Sequence, residues 1–551
     1  MAAGLHELLI HLYEGAAAAP RALFFVTSLF SLLLLLPLLL RGRFLFFSAP
    51  SSADRLLSRL PSPPNKLPVI GHLHLIGALP HVSLAALAAK HGPDLMLLRL
   101  GAVPTLVASS PRAAEAILRT HDHVFASRPR SMVAGIITYG QSDSCYAPYG
   151  DHFRKVRKLV TLHLLSSKKV RSFRAAREEE VALAMGKLAS AAAEGAAVDM
   201  SELLQAFTND LVCRAVSGKF SREEGRNKLF RELIDADAAL LGGFNLEDYF
   251  PALARLELVS RVICAKARRA SRRWDQLLDE LIDDHVSRRA RRADVDDSGA
   301  VQEDDRDFID VLLSLQQEYG LTRDHMKAIL IDIFEAGTDT SYLVLEFAMA
   351  ELMRQPHIMA KLQDEVRRNV PVSKGQQEMM VTESDLATSD MTYLKAVIKE
   401  TLRLHPPGPL LIPHLSIDDC DVDGYTIPAG TRVIVNAWAI GRLSSCWDDA
   451  DEFMPERFIA MEDGAGSDVD IKGGKDDFRY LPFGSGRRMC PGIHAAAATL
   501  EIMLANLVYR FDWELPPGVT KEDIDMTEVF GLAVRRKEKL VLVPKPRLMI
   551  A

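Results

Sequence analysis

FGSGRRMCPG, residues 483 to 492, reads as a loop that delivers one cysteine to the start of a helix. Gly484 and Gly486 let the backbone turn tightly and come close to a flat ligand. Arg488 sets a cation two residues before Cys490. From Ile493 to Tyr509 the pattern is helical, and Glu501 is its sole acid. A helix so apolar all round belongs in an interior. Cys490 then sits at the N-terminus of a buried helix, where the helix dipole and loop N–H groups favour thiolate over thiol. A thiolate in an apolar body calls for a metal, and a single one suits haem iron, whose in-plane ligands belong to the macrocycle. On these residues alone other readings stay open. A lone buried cysteine is commonly a small hydrophobe. Cys490 and His494 lie one helical turn apart and form half of a zinc site that lacks its second pair. The Gly484–Gly486 spacing opens like a dinucleotide loop, but Met489 stands where the third glycine belongs.

The surrounding 551 residues are 48% hydrophobic and 25% charged, with 33 Gly and 28 Pro, which excludes a disordered or collagenous chain. Lys and Arg number 66 against 73 Asp and Glu, so the net charge is -7 and no nucleic-acid partner is expected. The six cysteines are scattered, as reduced thiols in a cytosolic setting would be. Residues 22–40, ALFFVTSLFSLLLLLPLLL, contain no charge and are followed by Arg41 and Arg43. Such a run spans a bilayer core, and the cations behind it predict a cytosolic body. A cleaved signal peptide and a plastid transit peptide are the rival readings. Pro61, Pro63, Pro64 and Pro68 then stiffen a hinge.

Beyond Ser83 helical periodicity dominates, without an internal repeat. Strands are expected at Cys420–Val435, with a turn at Asp423 and Gly424, and at Leu540–Val543. The basic run Arg288–Arg292 and the acidic run Asp294–Asp307 read together as a solvated loop between helices. Glu400 and Arg403 are three apart and meet on one helix face, where Arg457 could join them. Buried, these charges would need one another. Met326, Ile329, Leu330, Ile333, Phe334 and Gly337 mark an amphipathic helix. Gly337 costs about 1 kcal/mol there relative to Ala. With Thr338, Thr340 and Ser341 it predicts a local opening or kink, a groove beside which Asp339 and Thr340 offer an acid and a hydroxyl.

Phe483, Gly486, Arg488, Cys490 and Gly492 match the FxxGxRxCxG signature, and the chain resembles the cytochrome P-450 family. Glu400–Arg403 resembles that family's ExxR, Pro455–Phe458 its PERF segment, and Ala336–Ser341 its oxygen-activating motif. The resemblance spans essentially the whole chain. It implies a mainly α fold with small β-sheets and one N-terminal transmembrane helix. The segments would be 1–21, an anchor at 22–40, a hinge at 41–68 and a catalytic domain at 69–551. It implies haem b with Cys490 as axial thiolate, and cofactor contacts from Phe483, Gly486, Arg488, Arg157 and His414. Proton delivery would fall to Asp339 and Thr340, and Glu400, Arg403 and Arg457 would form a structural brace. Phe153 stands where the family usually has Trp, so one propionate hydrogen bond is expected to be missing, a loss of roughly 1 to 3 kcal/mol. His414 stands where many relatives carry Arg.

The same resemblance implies a membrane-anchored enzyme of the endoplasmic reticulum, fed by NADPH-cytochrome P-450 reductase. Arg154, Lys155, Lys158 and Arg487 are expected to form its docking patch. Pocket walls are expected from Arg128–Tyr146, Ile329–Thr340, Leu410–Ile412 and Phe530–Ala533, with Phe244 and Phe250 as roof candidates. Residues 241–251, 335–342 and 525–530 resemble the grass monooxygenases that oxidise indole and indolin-2-one toward benzoxazinoids. The expected substrate is small and lipophilic: an indole, an indolinone, or another metabolite such as a terpenoid, phenolic or oxime. An oxygen-independent haem-thiolate isomerase or dehydratase would have no use for Asp339 and Thr340.

Overall fold

Apolar residues recur at three- and four-residue spacing through most of the chain, and helices follow from it. The computed structural model describes residues 51–218, 226–243, 245–254, 256–294, 306–370, 380–460 and 477–547. Residues 1–50, with the apolar run at 22–40, lie outside them, as does Phe244. Among the described residues no helix is long and apolar enough to cross a membrane. The helices that frame the site are α1 (Pro80–His91), α2 (Asp151–Leu159), α3 (Arg174–Glu194), α4 (Met200–Ser217), α5 (Arg226–Leu241), α6 (Ala265–Asp294), α7 (Phe308–Tyr319), α8 (Arg323–Arg354), α9 (Pro356–Asn369), α10 (Thr392–Leu404) and α11 (Ile493–Arg510).

Helix α8 is the shared axle. Thr322 caps its start, accepting from the His325 N–H, while His325 bonds back to the Thr322 N–H. Met326 to Phe334 enter one hydrophobic cluster with α2, α5, α6 and α7. Tyr342 to Leu352 enter another with α3, α4, α9, α10 and α11. The polar stretch 335–341 falls between the two clusters, so the place where α8 is least apolar is where packing leaves room. Helix α8 runs through it without a break, which corrects the expected opening at Gly337. The Thr340 hydroxyl instead donates to the Ala336 carbonyl at 2.6 Å, satisfying itself within the helix. At Gly337 a Cβ would stand 3.0 Å from a methyl of Val212 on α4, so the glycine serves close helix approach.

A four-stranded sheet flanks the helices. Its strands are β1 (Leu95–Leu100), β2 (Val103–Ala108), β3 (His414–Leu415) and β4 (Arg432–Val435), in the order β1-β2-β4-β3. Strands β2 and β4 are parallel, with Thr105 opposite Arg432. The β1–β2 hairpin went unread in the sequence because LMLLRL is buried on both faces and shows no alternation. The turn at Asp423 and Gly424 forms as expected, with φ of 51° and 82° joining Cys420–Val422 to Tyr425–Ile427. The C-terminal strand spans Val541–Pro546. A further hairpin, β5 (Glu528–Val529) and β6 (Arg535–Arg536), ends in a tip at 530–534. The run Arg288–Arg292 is not loop but the last turns of α6, where Arg288 pairs with Asp284 one turn back. Residues 295–305 of the acidic run lie outside the described residues.

Glu400 and Arg403 meet near the end of α10 with fully buried side chains. Arg403 donates to both Glu400 oxygens, at 2.7 and 2.8 Å, and to the carbonyls of Gly441, Ala450 and Glu452. Arg457 reaches Glu400 Oε1 at 3.1 Å, and the Met454 N–H reaches the same oxygen at 2.8 Å. Two guanidiniums and one carboxylate thus tie residues 441–457 to α10, and the ring of Trp447 covers the Arg403 guanidinium. Replacing Glu400 by Ala leaves both cations buried and unpaired, a loss of about 3–5 kcal/mol. The expected outcome is a collapse in the yield of folded protein, read by circular dichroism and thermal melting, whereas Lys361→Ala at an exposed pair is expected to change the melt by under about 1 kcal/mol.

Candidate active site

A cavity of about 2350 Å³ lies between the polar stretch of α8 and the loop that precedes α11. Phe483, Gly484, Arg488, Cys490 and Gly492 line one side; Asp332, Ile333, Ala336, Gly337 and Thr340 line the other. The expected walls are all represented: Arg128 to Tyr146, Leu410 to Ile412, and Phe530 to Leu532, with Phe250 at the edge. The sequence reading missed the contribution of α4, through Thr208, Leu211 and Val212, and of the α5 end, through Leu240 and Leu241.

The cysteine loop is held by its own backbone. The Cys490 N–H donates to the Phe483 carbonyl at 2.9 Å. Gly486 has φ of 69°, and a Cβ there would lie 2.2 Å from the Leu118 carbonyl oxygen. No side chain fits. A Cβ on Gly492, by contrast, would make an ordinary 3.7 Å contact with the Cys490 sulfur. Among the described residues, Cys145 and Cys490 are the cysteines that line the cavity; Cys420 sits in its own hairpin. Burial pushes both cavity thiols up. For Cys145 the carboxylates of Asp332 and Asp143 push further, whereas for Cys490 the Gly492 N–H and Arg157 pull back toward thiolate. Cys490 is the better anion.

Three guanidiniums share this space. Arg128 is fully enclosed and donates to the carbonyls of Cys145, Ile412 and Pro413. Arg488 donates to those of Ala126 and Ala147, and Arg157 to that of Met489. Among the described residues none of the three has a carboxylate partner. Desolvation pulls Arg128 down to about 10 and Arg488 to about 9, and lowers Arg157. Buried cations without anions are costly. A flat, largely apolar ligand with carboxylates at one edge and an iron at its centre answers the whole set: apolar walls, three guanidiniums and one thiol. The residues therefore fit a haem. Arg128 escaped the sequence reading as a cation partner, since nothing in its neighbours marks it.

Phe153 is buried, and the Arg488 guanidinium lies 3.7 Å above its ring centroid. The ring thus braces Arg488 through a cation–π contact. His414 is enclosed, with Nδ1 2.8 Å from the Phe125 carbonyl, and burial pulls its pKa down to about 3. The neutral ring spends its one N–H on that carbonyl. Donation to a carboxylate, expected from the sequence, therefore requires a second proton.

Asp339 and Thr340 are neighbours in sequence but not in environment. Thr340 lines the cavity; Asp339 faces Asp235 and Arg535. Burial, with Asp235 adding to it, pushes Asp339 up to about 7. Asp332 instead reaches the 143–146 loop, accepting from the N–H groups of Ser144 at 2.7 Å and Cys145 at 3.2 Å. On the outer surface Lys155 and Lys158 are exposed beside the cysteine loop, while Arg154 pairs with Asp151 and Arg487 with Asp122, which halves the expected positive patch.

The sequence pattern of the family described as Cytochrome P450 matches residues 61–543, and the chain belongs to that family. It is a haem-thiolate monooxygenase that acts on a small substrate with a redox partner. Within the family, it is 65% identical to the indole-2-monooxygenase of Zea mays, over 99% of this chain and 100% of that protein. It is 56% identical to the indolin-2-one monooxygenase of Zea mays over 88% of each chain, and 54% to its 3-hydroxyindolin-2-one monooxygenase, likewise over 88% of each. The fold matches a zebrafish cytochrome P450 solved with abiraterone, at a TM-score of 0.69 and 24% identity, over 86% of this chain and 100% of that one.

Two outcomes are expected. Gly486→Ala should abolish haem retention, read as haem-to-protein ratio, while Gly492→Ala retains it. The folded pKa of Asp339 lies above its unfolded value of 3.8, so the fold holds that proton more tightly and loses stability as pH rises from 3.8 through about 7. Asp339→Asn removes this penalty. Its melting temperature should exceed that of the wild type by an increment that grows from about pH 4 and levels off above about pH 7; a gap independent of pH would refute the assignment.

Proposed function

We propose that this protein inserts one oxygen atom into indole or a closely related indolinone, on a route of benzoxazinoid type. The observation that carries the reading is the 65% identity to an indole-2-monooxygenase over essentially the full length of both chains. The apolar walls suit a flat bicycle with a single N–H donor. The cavity volume favours a second reading, a larger lipophilic metabolite such as a terpenoid, phenolic or oxime.

In this reading the Cys490 thiolate would hold the iron of haem b, with Phe483 and Gly486 beside it. Arg128, Arg157 and Arg488 would neutralise its carboxylates, and His414 would join them by taking up a proton. The bound haem supplies the oxygen activation and insertion that no side chain can perform. The chain's own residues supply position and protons. The Thr340 hydroxyl, its proton turned to the Ala336 carbonyl, offers its lone pairs to a donor in the cavity. Asp339, near half-protonated at neutral pH, stores a proton one residue away on the far face. Glu400, Arg403 and Arg457 keep the segment before the cysteine loop in place.

Residues 22–40 anchor the chain in the endoplasmic reticulum membrane, after a leading segment at 1–21. The hinge at 41–68 holds the catalytic domain, 69–551, on the cytosolic side. NADPH-cytochrome P-450 reductase supplies the electrons and docks beside Lys155 and Lys158 of α2. Asn65, with φ of 70°, takes a left-handed turn in the hinge that Asn tolerates.

The test is turnover in microsomes with a plant reductase and NADPH, offering indole, indolin-2-one and 3-hydroxyindolin-2-one, with mass spectrometry for one added oxygen. A product from indole or indolin-2-one is expected. No product from any of the three, in a preparation with a sound reduced carbon monoxide spectrum, would overturn the substrate assignment. Cys490→Ser is expected to abolish that spectrum and Cys145→Ser to preserve it.

A further inference from the structure

One buried charged cluster has no part in the chemistry above. Glu528 opens the β5–β6 hairpin, and its carboxylate faces two imidazoles. His81 Nε2, on α1, lies 3.0 Å from Oε2, and His405 Nδ1, just after α10, lies 3.7 Å from Oε1. His405 Nε2 in turn lies 2.9 Å from Glu351 Oε1 on α8. Acid and imidazole alternate along this line, which joins the hairpin to three helices. The His81 side chain is wholly buried and that of Glu528 nearly so. A buried carboxylate at this depth persists only with such partners, and the two imidazoles hold Glu528 down to about 2 against its burial.

The cluster sits directly behind the cavity wall. Phe530 follows Glu528 by two residues, at the start of the hairpin tip. The Phe530 ring stacks on His81 with centroids 6.0 Å apart, and it lines the cavity. The other side of His81 meets the edge of Trp438 at 5.1 Å, and its carbonyl accepts from Asn436 at 2.8 Å. The ring is therefore held by Phe530 and Trp438 and by one polar contact, that of Nε2 with Glu528, which sets its tilt. Beyond Phe530, the tip meets the roof: a Cβ on Gly242, just past α5, would overlap Leu532 N at 2.0 Å. The tip therefore packs closely against the end of α5, and its Phe530 ring is backed by His81.

We infer that Glu528 is a positioning residue for the substrate: by orienting His81 it sets the place of the Phe530 ring in the cavity wall, against which an aromatic substrate packs. The assignment of an aromatic substrate rests on the indole reading; the mechanical link from Glu528 to the wall does not.

The test is made on full-length, haem-loaded enzyme with two iron-binding probes read by absorbance difference spectra. Imidazole reports access to the iron, and 1-phenylimidazole also requires its phenyl ring to pack against the wall. An aromatic contact is worth about 0.5–1.5 kcal/mol, so Glu528→Gln should raise the Kd of 1-phenylimidazole about two- to tenfold and leave imidazole unchanged. Phe530→Ala should do the same, and the double variant should be no weaker than Phe530→Ala alone, because both changes break one linkage. Equal shifts for the two probes, no shift for either, or additive losses would overturn the proposal. Should Glu528→Gln fail to fold, His81→Asn, which keeps a donor for Glu528 and removes the backing ring, carries the same expectation. With indole, KM should rise in Glu528→Gln while kcat holds. Absence of indole turnover in the wild type refutes the substrate reading alone, since the phenylimidazole cycle still decides the role of Glu528.

Discussion

Arg128, Arg157 and Arg488 carry three positive charges into a space walled mostly by hydrocarbon, and among the described residues they bond to backbone carbonyls and to no carboxylate. Carbonyl dipoles fix the guanidiniums in orientation, and the nearby Asp143 offsets desolvation of Arg128 and Arg488 only in part. The lowered pKa values of all three express that deficit. A dianionic ligand removes it, and each carbonyl contact already aims a guanidinium toward the cavity. The three guanidiniums thus concentrate positive charge in one corner of the cavity. The cation–π contact from Phe153 belongs to the same corner, where the ring braces the Arg488 guanidinium.

A second constraint fixes where that corner lies. Helix α8 belongs to two hydrophobic clusters, and its polar stretch falls at their seam. At that seam Ala336, Gly337, Thr340 and Ser341 line the cavity, while Glu335 and Thr338 are buried in the body. The brace at Glu400 acts at longer range, fastening the segment from Gly441 to Arg457, from which the chain returns to the cysteine loop.

How much of this could be read in advance depends on how local each feature is. The cysteine loop was legible because its glycines, cation and thiol sit within ten consecutive residues. Glu400 and Arg403 were legible through helical spacing, and the Asp423–Gly424 turn through the backbone its residues permit. Arg128 was not, because its carbonyl partners lie up to 285 residues away in the chain. The β1–β2 hairpin hid behind two apolar faces. Asp339 and Thr340 were legible as an acid and a hydroxyl, but their different surroundings were not, because neighbours on a helix are about 100° apart around its axis. The groove expected beside Gly337 is present, but the helix is continuous through it, because packing against α4 outweighs the low helix propensity of that stretch.

The contact between Gly486 and Leu118 also has a temporal side. Arg487, next in the chain, bonds to Asp122 across 365 residues. A ribosome adding 5–20 residues per second needs roughly 20 to 70 seconds to bridge that interval. The N-terminal partner of the cysteine loop is therefore made long before the loop itself. The bonds that seat Cys490 are among the last to close. Because Arg488, Cys490 and α11 all follow that interval, the walls of the cavity are completed only near the end of synthesis.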